Sequence, residues 1–373
     1  MLSKKRKALI NLKNIPGWRT NRKIVVISVD DYGNIRMASK QAKANLEKVG
    51  LEIHKNHFDQ FDCLEDKKDL EHLFDTLSSV KDKHGNSPVF TAFTLPVNLD
   101  FQKIIDSNYS EYHFELLPGT LNSLPGYEGT WDLWKEGISN KLLYPQSHGR
   151  EHFNVSNFLD HLKNKNEEVI ACIQNRSYAG LTQPDISIMS YERAFAFYKF
   201  EENDQLIKIA QDGLIQFEKV FGFKAQHFTA PGIYAHHSLE EALAEGGIKY
   251  IDSLIKKSEH QGRGKYKNRY QTLGKRNKVG QRYILRNCVF EPFLNPGNDA
   301  INECLAEISI AFRWNKPANI STHRVNFCGH IDPKNREVGL KQLKILLNEI
   351  MKKWPDVEFM TTVELGELMD ASN

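Results

Sequence analysis

The chain reads as an α/β protein built on a parallel sheet or barrel, and two observations carry that reading. Short β-branched or aromatic runs alternate with amphipathic stretches along most of its length. The clearest run, from Ile24 to Val29, has almost no polar interruption, as expected of a strand covered on both faces. A hydrophobic fraction of 40% over 373 residues is ample for one large barrel with insertions or for two domains, and it makes disorder the wrong default.

In chain order, the first strand ends in two adjacent carboxylates, Asp30 and Asp31, followed by a turn at Tyr32-Gly33-Asn34. Neighbours on an extended chain point to opposite sides, so one carboxylate can face a ligand while the other turns towards a second group or a backbone amide. The bland alternative is a capping Asp beside a surface Asp. Ser39 caps a helix from Lys40 to Val49, stopped by Gly50. In Glu52 to Cys63, His54 and His57 are spaced as ligands could be, but the segment reads better as a loop packed over the barrel by Phe58 and Phe61. Asp66 to Lys83 has helical spacing, and Val89 to Leu95 is the second strand, closed by Pro96. A short helix is expected at Phe101 to Ile105, a third strand at Tyr112 to Leu117 and a helix at Trp131 to Leu142. After the polar cluster Gln146 to Asn154 comes a helix from Ser156 to Asn175.

Residues 177–203 show no period and read as an irregular insertion. Helices at Asp204 to Phe221 and Leu239 to Ala244 bracket a strand at Gln226 to Thr229, and Tyr250 to Asp252 is a further strand. Residues 255–286 then carry eleven Lys or Arg against one acid, Glu259, so a chain of net charge +3 has a local basic block and an acidic remainder. That block reads either as a solvated flap or as a contact for an anionic substrate or for membrane headgroups. Cys288 to Pro292, a helix from Asp299 to Phe312, the strand Ala318 to His323, a helix from Arg336 to Lys353 and a strand at Val357 to Met360 complete the chain.

The near-balanced net charge does not announce a nucleic-acid partner. Five cysteines, Cys63, Cys172, Cys288, Cys304 and Cys328, have no paired spacing, which argues against a disulfide framework and a thiolate zinc site and favours a reducing, cytoplasmic setting. The basic start, Lys4 to Lys7, leads into a stretch too short and polar for a signal-peptide core, and no run is long enough for a membrane span.

Three distant clusters end a predicted strand or occupy the loop beyond it: Asp30-Asp31, His148 with His152, and His323. In a parallel barrel all such ends meet at one mouth. Two imidazoles four apart on a helical turn, with one carboxylate, make a facial set for zinc or another borderline divalent ion, with positions left for water and substrate. His227 near Ala230-Pro231 either lines the same mouth or packs beside its strand.

This set resembles the polysaccharide deacetylases, the NodB-homology carbohydrate esterases. Ser28-Val29-Asp30-Asp31-Tyr32-Gly33 is similar to their first motif, His148-Gly149-Arg150-Glu151-His152 to their second, and Ser321-Thr322-His323-Arg324 to the segment holding their last catalytic histidine. The phrases Asp-Asp-Tyr-Gly-Asn-Ile-Arg, His-Gly-Arg-Glu-His-Phe-Asn, Arg-Asn-Cys-Val-Phe-Glu-Pro and Ser-Thr-His-Arg-Val-Asn-Phe resemble, in order, those of an intracellular divergent branch.

The resemblance implies one domain over residues 1–373, an irregular (β/α)7 barrel of the glycoside hydrolase/deacetylase type with its core at about 20–370. It implies Asp31, His148 and His152 as ligands of a divalent metal, zinc first and cobalt, nickel or manganese as alternatives. Asp30 would be the general base and His323 the general acid. The implied reaction is loss of an acetyl group from an N-acetylated sugar of a polysaccharide or glycan precursor, an anionic or pyrophosphate-linked one suiting the basic block. The alternatives are an O-acetyl esterase, a glycoside hydrolase or a silent sugar-binding barrel.

The family's third motif normally supplies an arginine that orients the base, but here Thr229-Ala230-Pro231 stands in its place. Arg150, Arg286 and Arg324 are the candidates to replace it and to meet substrate. Asp252 is a loose counterpart of a fourth-motif acid, and Glu291 is a candidate partner near the site.

Overall fold

A computed structural model of the protein describes residues 3–182, 189–293 and 299–372. Its centre is one all-parallel sheet in the order Arg282–Ile284, Tyr250–Asp252, His227–Phe228, Leu143–Ser147, Phe90–Thr94, Ile24–Tyr32, Ala318–His323, Cys288–Val289. The sheet curls into an irregular (β/α) barrel with helices outside. Among the described residues its two end strands, although close in sequence, do not pair with each other, so the barrel has a seam. Ile24–Tyr32 is buried along its whole length, as its apolar run predicts. One edge of this strand pairs with Ala318–His323. The other is shared, Glu358–Met360 lying against its start and Phe90–Thr94 against its end.

Several elements depart from expectation, each for a local reason. The third parallel strand is Leu143–Ser147, not Tyr112 to Leu117. Pro145 disguises it, because proline lacks the amide that a central strand needs. Beside it, the Gln146 side-chain carbonyl accepts the amides of Gln226 (2.8 Å) and His227 (2.7 Å) and so ties this strand to the next. Phe114–Leu116 pairs antiparallel with Val97–Leu99 in a separate small sheet. The helix expected from Ser156 to Asn175 is two, Val155–Lys163 and Glu167–Gln174, with Lys165 at φ 51° between them.

The basic block is not a single insertion. It folds as an antiparallel hairpin, Lys256–His260 with Tyr266–Tyr270, and then returns to the barrel as Arg282–Ile284, so Arg286 sits at a strand end. Of the irregular stretch 177–203, residues 183–188 lie outside the described residues.

Two unanticipated helices close the molecule, Lys4–Lys13 and Thr362–Ala371. The segment after the first is tied down by Lys316, whose ammonium donates to the carbonyls of Pro16, Gly17 and Trp18 at 2.6–2.8 Å. All five cysteines are free and buried. Among the described residues no helix is long and apolar enough to cross a membrane.

Candidate active site at the barrel mouth

Asp30 stays in strand register, directly across from His323 on the neighbouring strand. Immediately after it the pairing with Phe90–Thr94 shifts, and Asp31 takes a left-handed φ of 76°. This bulge corrects the expectation from simple alternation. An irregularity of this kind re-aims a side chain, and Asp is one of the few residues that tolerates the conformation. The two carboxylates therefore serve two neighbouring places at one mouth.

Gly33 completes the turn at φ 80°, and a Cβ there would stand 2.6 Å from the Leu95 carbonyl oxygen. Gly33→Ala is therefore expected to destabilise the protein by about 3 kcal/mol through strain and overpacking, read as a lower denaturant midpoint at unchanged slope.

His148 and His152 lie in an irregular loop after Leu143–Ser147, not on a helical turn. Gly149, at φ 105°, turns the chain between them, and their ring centroids are 5.4 Å apart. The Nε2 atoms of His148 and His152 lie 3.3 and 2.9 Å from Asp31 Oδ1. One ligand atom from each of the three residues falls within 4.8 Å of the others. Ligands held at about 2.1 Å from one ion are separated by distances of this order.

The proton on His148 is also placed for a ligand. Its Nδ1 lies 2.8 Å from the Thr229 carbonyl oxygen, which can only accept, so Nδ1 carries the hydrogen and Nε2 offers its lone pair. Burial opposes ionisation of Asp31, but the two imidazoles outweigh it and hold the carboxyl well below its usual range.

A second cluster, His236, His237 and Glu259, has comparable spacing. There His236 Nδ1 accepts the Ser238 amide at 3.1 Å, which puts the hydrogen on Nε2, the atom that would have to bind. The mouth triad fits a divalent ion and this cluster does not.

Arg286 meets Asp30 through two parallel bonds of 2.7 Å. Its Nε donates to Asp252 at 2.7 Å, and its guanidinium lies 4.9 Å from the centre of the Phe93 ring. Asp252 also accepts from Thr229 Oγ1 (2.6 Å) and faces His227, and Arg286 heads the attractions that hold its carboxyl far below the usual range against burial.

On the opposite flank, His323 Nδ1 lies 2.5 Å from Glu291 Oε1, while its Nε2 is 3.8 Å from Asp30. Asn326 donates to the other Glu291 oxygen at 2.6 Å, and Phe58 stands edge-on to the His323 ring. Burial alone would lower the His323 pKa, but Glu291, Asp31 and Asp30 raise it to about 10.

The remaining expected site residues are placed elsewhere. Arg324 is 1% exposed and spent on Asp62 and Glu65, both at 2.9 Å, so it offers nothing to a substrate. Arg150 is taken up by Glu151 (2.6 Å) and Asp212 (2.8 Å) and lies against Tyr112 and Phe114. Asp252 stands behind Arg286, and His227 is fully buried on Thr362. Thr229 and Asn326 were missed; each lies in a quoted phrase or beside Ala230-Pro231, but nothing in their residue type marks the role.

No protein-family profile matches the chain, and no curated protein matches it. Among solved structures it is similar to one described as a polysaccharide deacetylase from Mycobacterium smegmatis, at 11% identity and a TM-score of 0.47, covering 96% of this chain and 93% of that one. It is also similar to the PuuE allantoinase, at 10% identity and a TM-score of 0.45, covering 95% and 93%. A third, the 4-alpha-glucanotransferase of Thermococcus litoralis, gives 11% and 0.44, with 92% of this chain and 40% of that one.

Proposed function

We propose that the protein is a metal-dependent hydrolase that removes the acetyl group from an N-acetylated sugar of a polysaccharide or glycan precursor. The observation that carries this reading is the meeting of Asp31, His148 and His152 between an arginine-held Asp30 and a glutamate-held His323. The sugar as substrate rests on the motif resemblance. The free cysteines fit a reducing, cytoplasmic setting.

Asp31, His148 and His152 would hold the ion, zinc being suited to two imidazoles and a carboxylate. When bound, such an ion polarises the acyl oxygen and acidifies water. Asp30 accepts a proton from the attacking water, and Arg286 fixes the direction in which its oxygens point. His323 gives its Nε2 proton to the nitrogen as the C–N bond breaks, leaving acetate and a free amine. Glu291 accepts the Nδ1 hydrogen and stabilises the doubly protonated ring, so that Nε2, which faces Asp30, has a proton to give.

Incubation with N-acetylated and O-acetylated oligosaccharides tests the reading. Acetate with an equal amount of new amine supports it. Acetate from esters alone, new reducing ends, or sugar binding without turnover in the zinc-loaded protein would each replace it.

The raised His323 pKa gives a pH dependence with a definite sign. An acid shifted up to about 10 stays protonated through neutrality, so its contribution to rate and stability is complete below about 6.5 and is lost as pH rises through about 10. Glu291→Gln keeps the shape and removes the charge. The alkaline limb of kcat/KM is expected to fall by roughly 2–3 pH units, measured as a rate profile over neutral to alkaline buffers.

A further inference from the structure

Two elements beside the barrel seam expose apolar side chains among unpaired cations. On the helix Lys4–Lys13 and the turn after it, Leu9, Leu12 and Ile15 are exposed, while Ile10 packs inward against Ile310 and Arg6 pairs with Glu303 and Glu307. On the hairpin, Leu254, Tyr266 and Tyr270 are exposed, the last two at 52% and 60%. The two elements share a surface, because Lys13 and Pro16 line the same cavity of about 420 Å3 as Leu254 and Lys256, and Lys256 is the cross-strand neighbour of Tyr270.

Lys4, Lys5, Lys7 and Lys13 are exposed on the first element. Lys256, Arg263, Lys265 and Lys267 are exposed on the second. Among the described residues none of these eight stands in an ion pair with a carboxylate, whereas the nearby Arg6, Arg276 and Arg282 do.

We propose that this seam face docks on an anionic lipid surface. Leucines and an isoleucine on the helix, with leucine and tyrosines on the hairpin, are what enters a headgroup layer, and the surrounding cations answer its negative charge. A soluble acidic polysaccharide would use the cations but leave the four aliphatic side chains without a role. A second copy of the chain would set one basic face against another. The docking does not depend on the hydrolytic reading, since a protein inactive on acetylated sugars would still show it.

Co-sedimentation with vesicles of phosphatidylcholine, alone or mixed with phosphatidylglycerol, tests this with the full chain. Binding to the mixed vesicles is expected to exceed that to the neutral ones about ten-fold and to be lost in ~1 M salt. The double variant Lys256→Glu/Arg263→Glu and the double variant Leu9→Ser/Leu12→Ser are each expected to weaken it about five-fold or more, with unchanged circular dichroism. The two variants lie on different elements, so local loosening of the N-terminal helix cannot account for both. Equal binding to neutral and anionic vesicles, no response to either variant, or a dimer in solution that Leu9→Ser/Leu12→Ser dissociates would each overturn the proposal.

Discussion

Acetyl release is expected to fall at least about 10³-fold in His148→Ala assayed at saturating zinc, because several kcal/mol of transition-state stabilisation depend on the ion that the triad would hold. The zinc content of the purified protein should fall with it. His148 is the sharper of the two histidines to remove, since its Nδ1 bond to the Thr229 carbonyl fixes both its orientation and its tautomer. Asp31→Asn is the companion variant. Asparagine tolerates the left-handed φ of 76°, so the bulge survives while the charge is lost, and a defect cannot be assigned to backbone strain. Both variants should keep the circular dichroism of the parent. Turnover within about threefold of the parent in both would remove the metal centre from the proposed mechanism.

The legible parts of this molecule are those in which one residue type has one physical use. A run such as Ile24 to Val29 has few homes other than a strand covered on both faces, and it is buried throughout. Adjacent carboxylates at its end and histidines in a loop beyond another strand point to the mouth, because parallel strand ends share it. What stayed hidden was geometry that pattern does not encode. The bulge at Asp31 brings its carboxylate to the same mouth as that of Asp30, where alternation alone sends the two to opposite sides. The His148–His152 pair is brought together by a glycine turn where spacing suggested a helix. Leu143–Ser147 is hidden by Pro145, which has no amide to give to a strand ladder. Arg286 could be offered only as one of three arginines, since its strand, Arg282–Ile284, lies inside a basic stretch that reads as a flap.

Arg286 also yields the other large expected effect. Arg286→Met removes the only guanidinium in contact with Asp30 among the described residues and leaves Asp30 and Asp252 without their shared cation. Breaking a buried pair in this way costs about 3–5 kcal/mol of stability, and misdirecting Asp30, the proposed base, is expected to lower kcat/KM roughly 10²–10³-fold. Arg286→Lys should recover little, because a single ammonium cannot reproduce two parallel bonds to Asp30 and a third to Asp252. The informative variant is a second change at Thr229, the position at which the resembled motif carries its arginine. Thr229 Oγ1 lies 3.2 Å from the Arg286 guanidinium, so a side chain from that position can enter the space that Arg286→Met vacates. The double variant Arg286→Met/Thr229→Arg is expected to regain activity over Arg286→Met alone by about ten-fold or more, while Thr229→Arg by itself crowds two guanidiniums together and lowers stability. Recovery in the double variant, followed as kcat/KM, would show that the base needs a cation at this point in space and not one from a particular strand; no recovery, with the fold intact, would show that the strand carrying Arg286 contributes more than its charge.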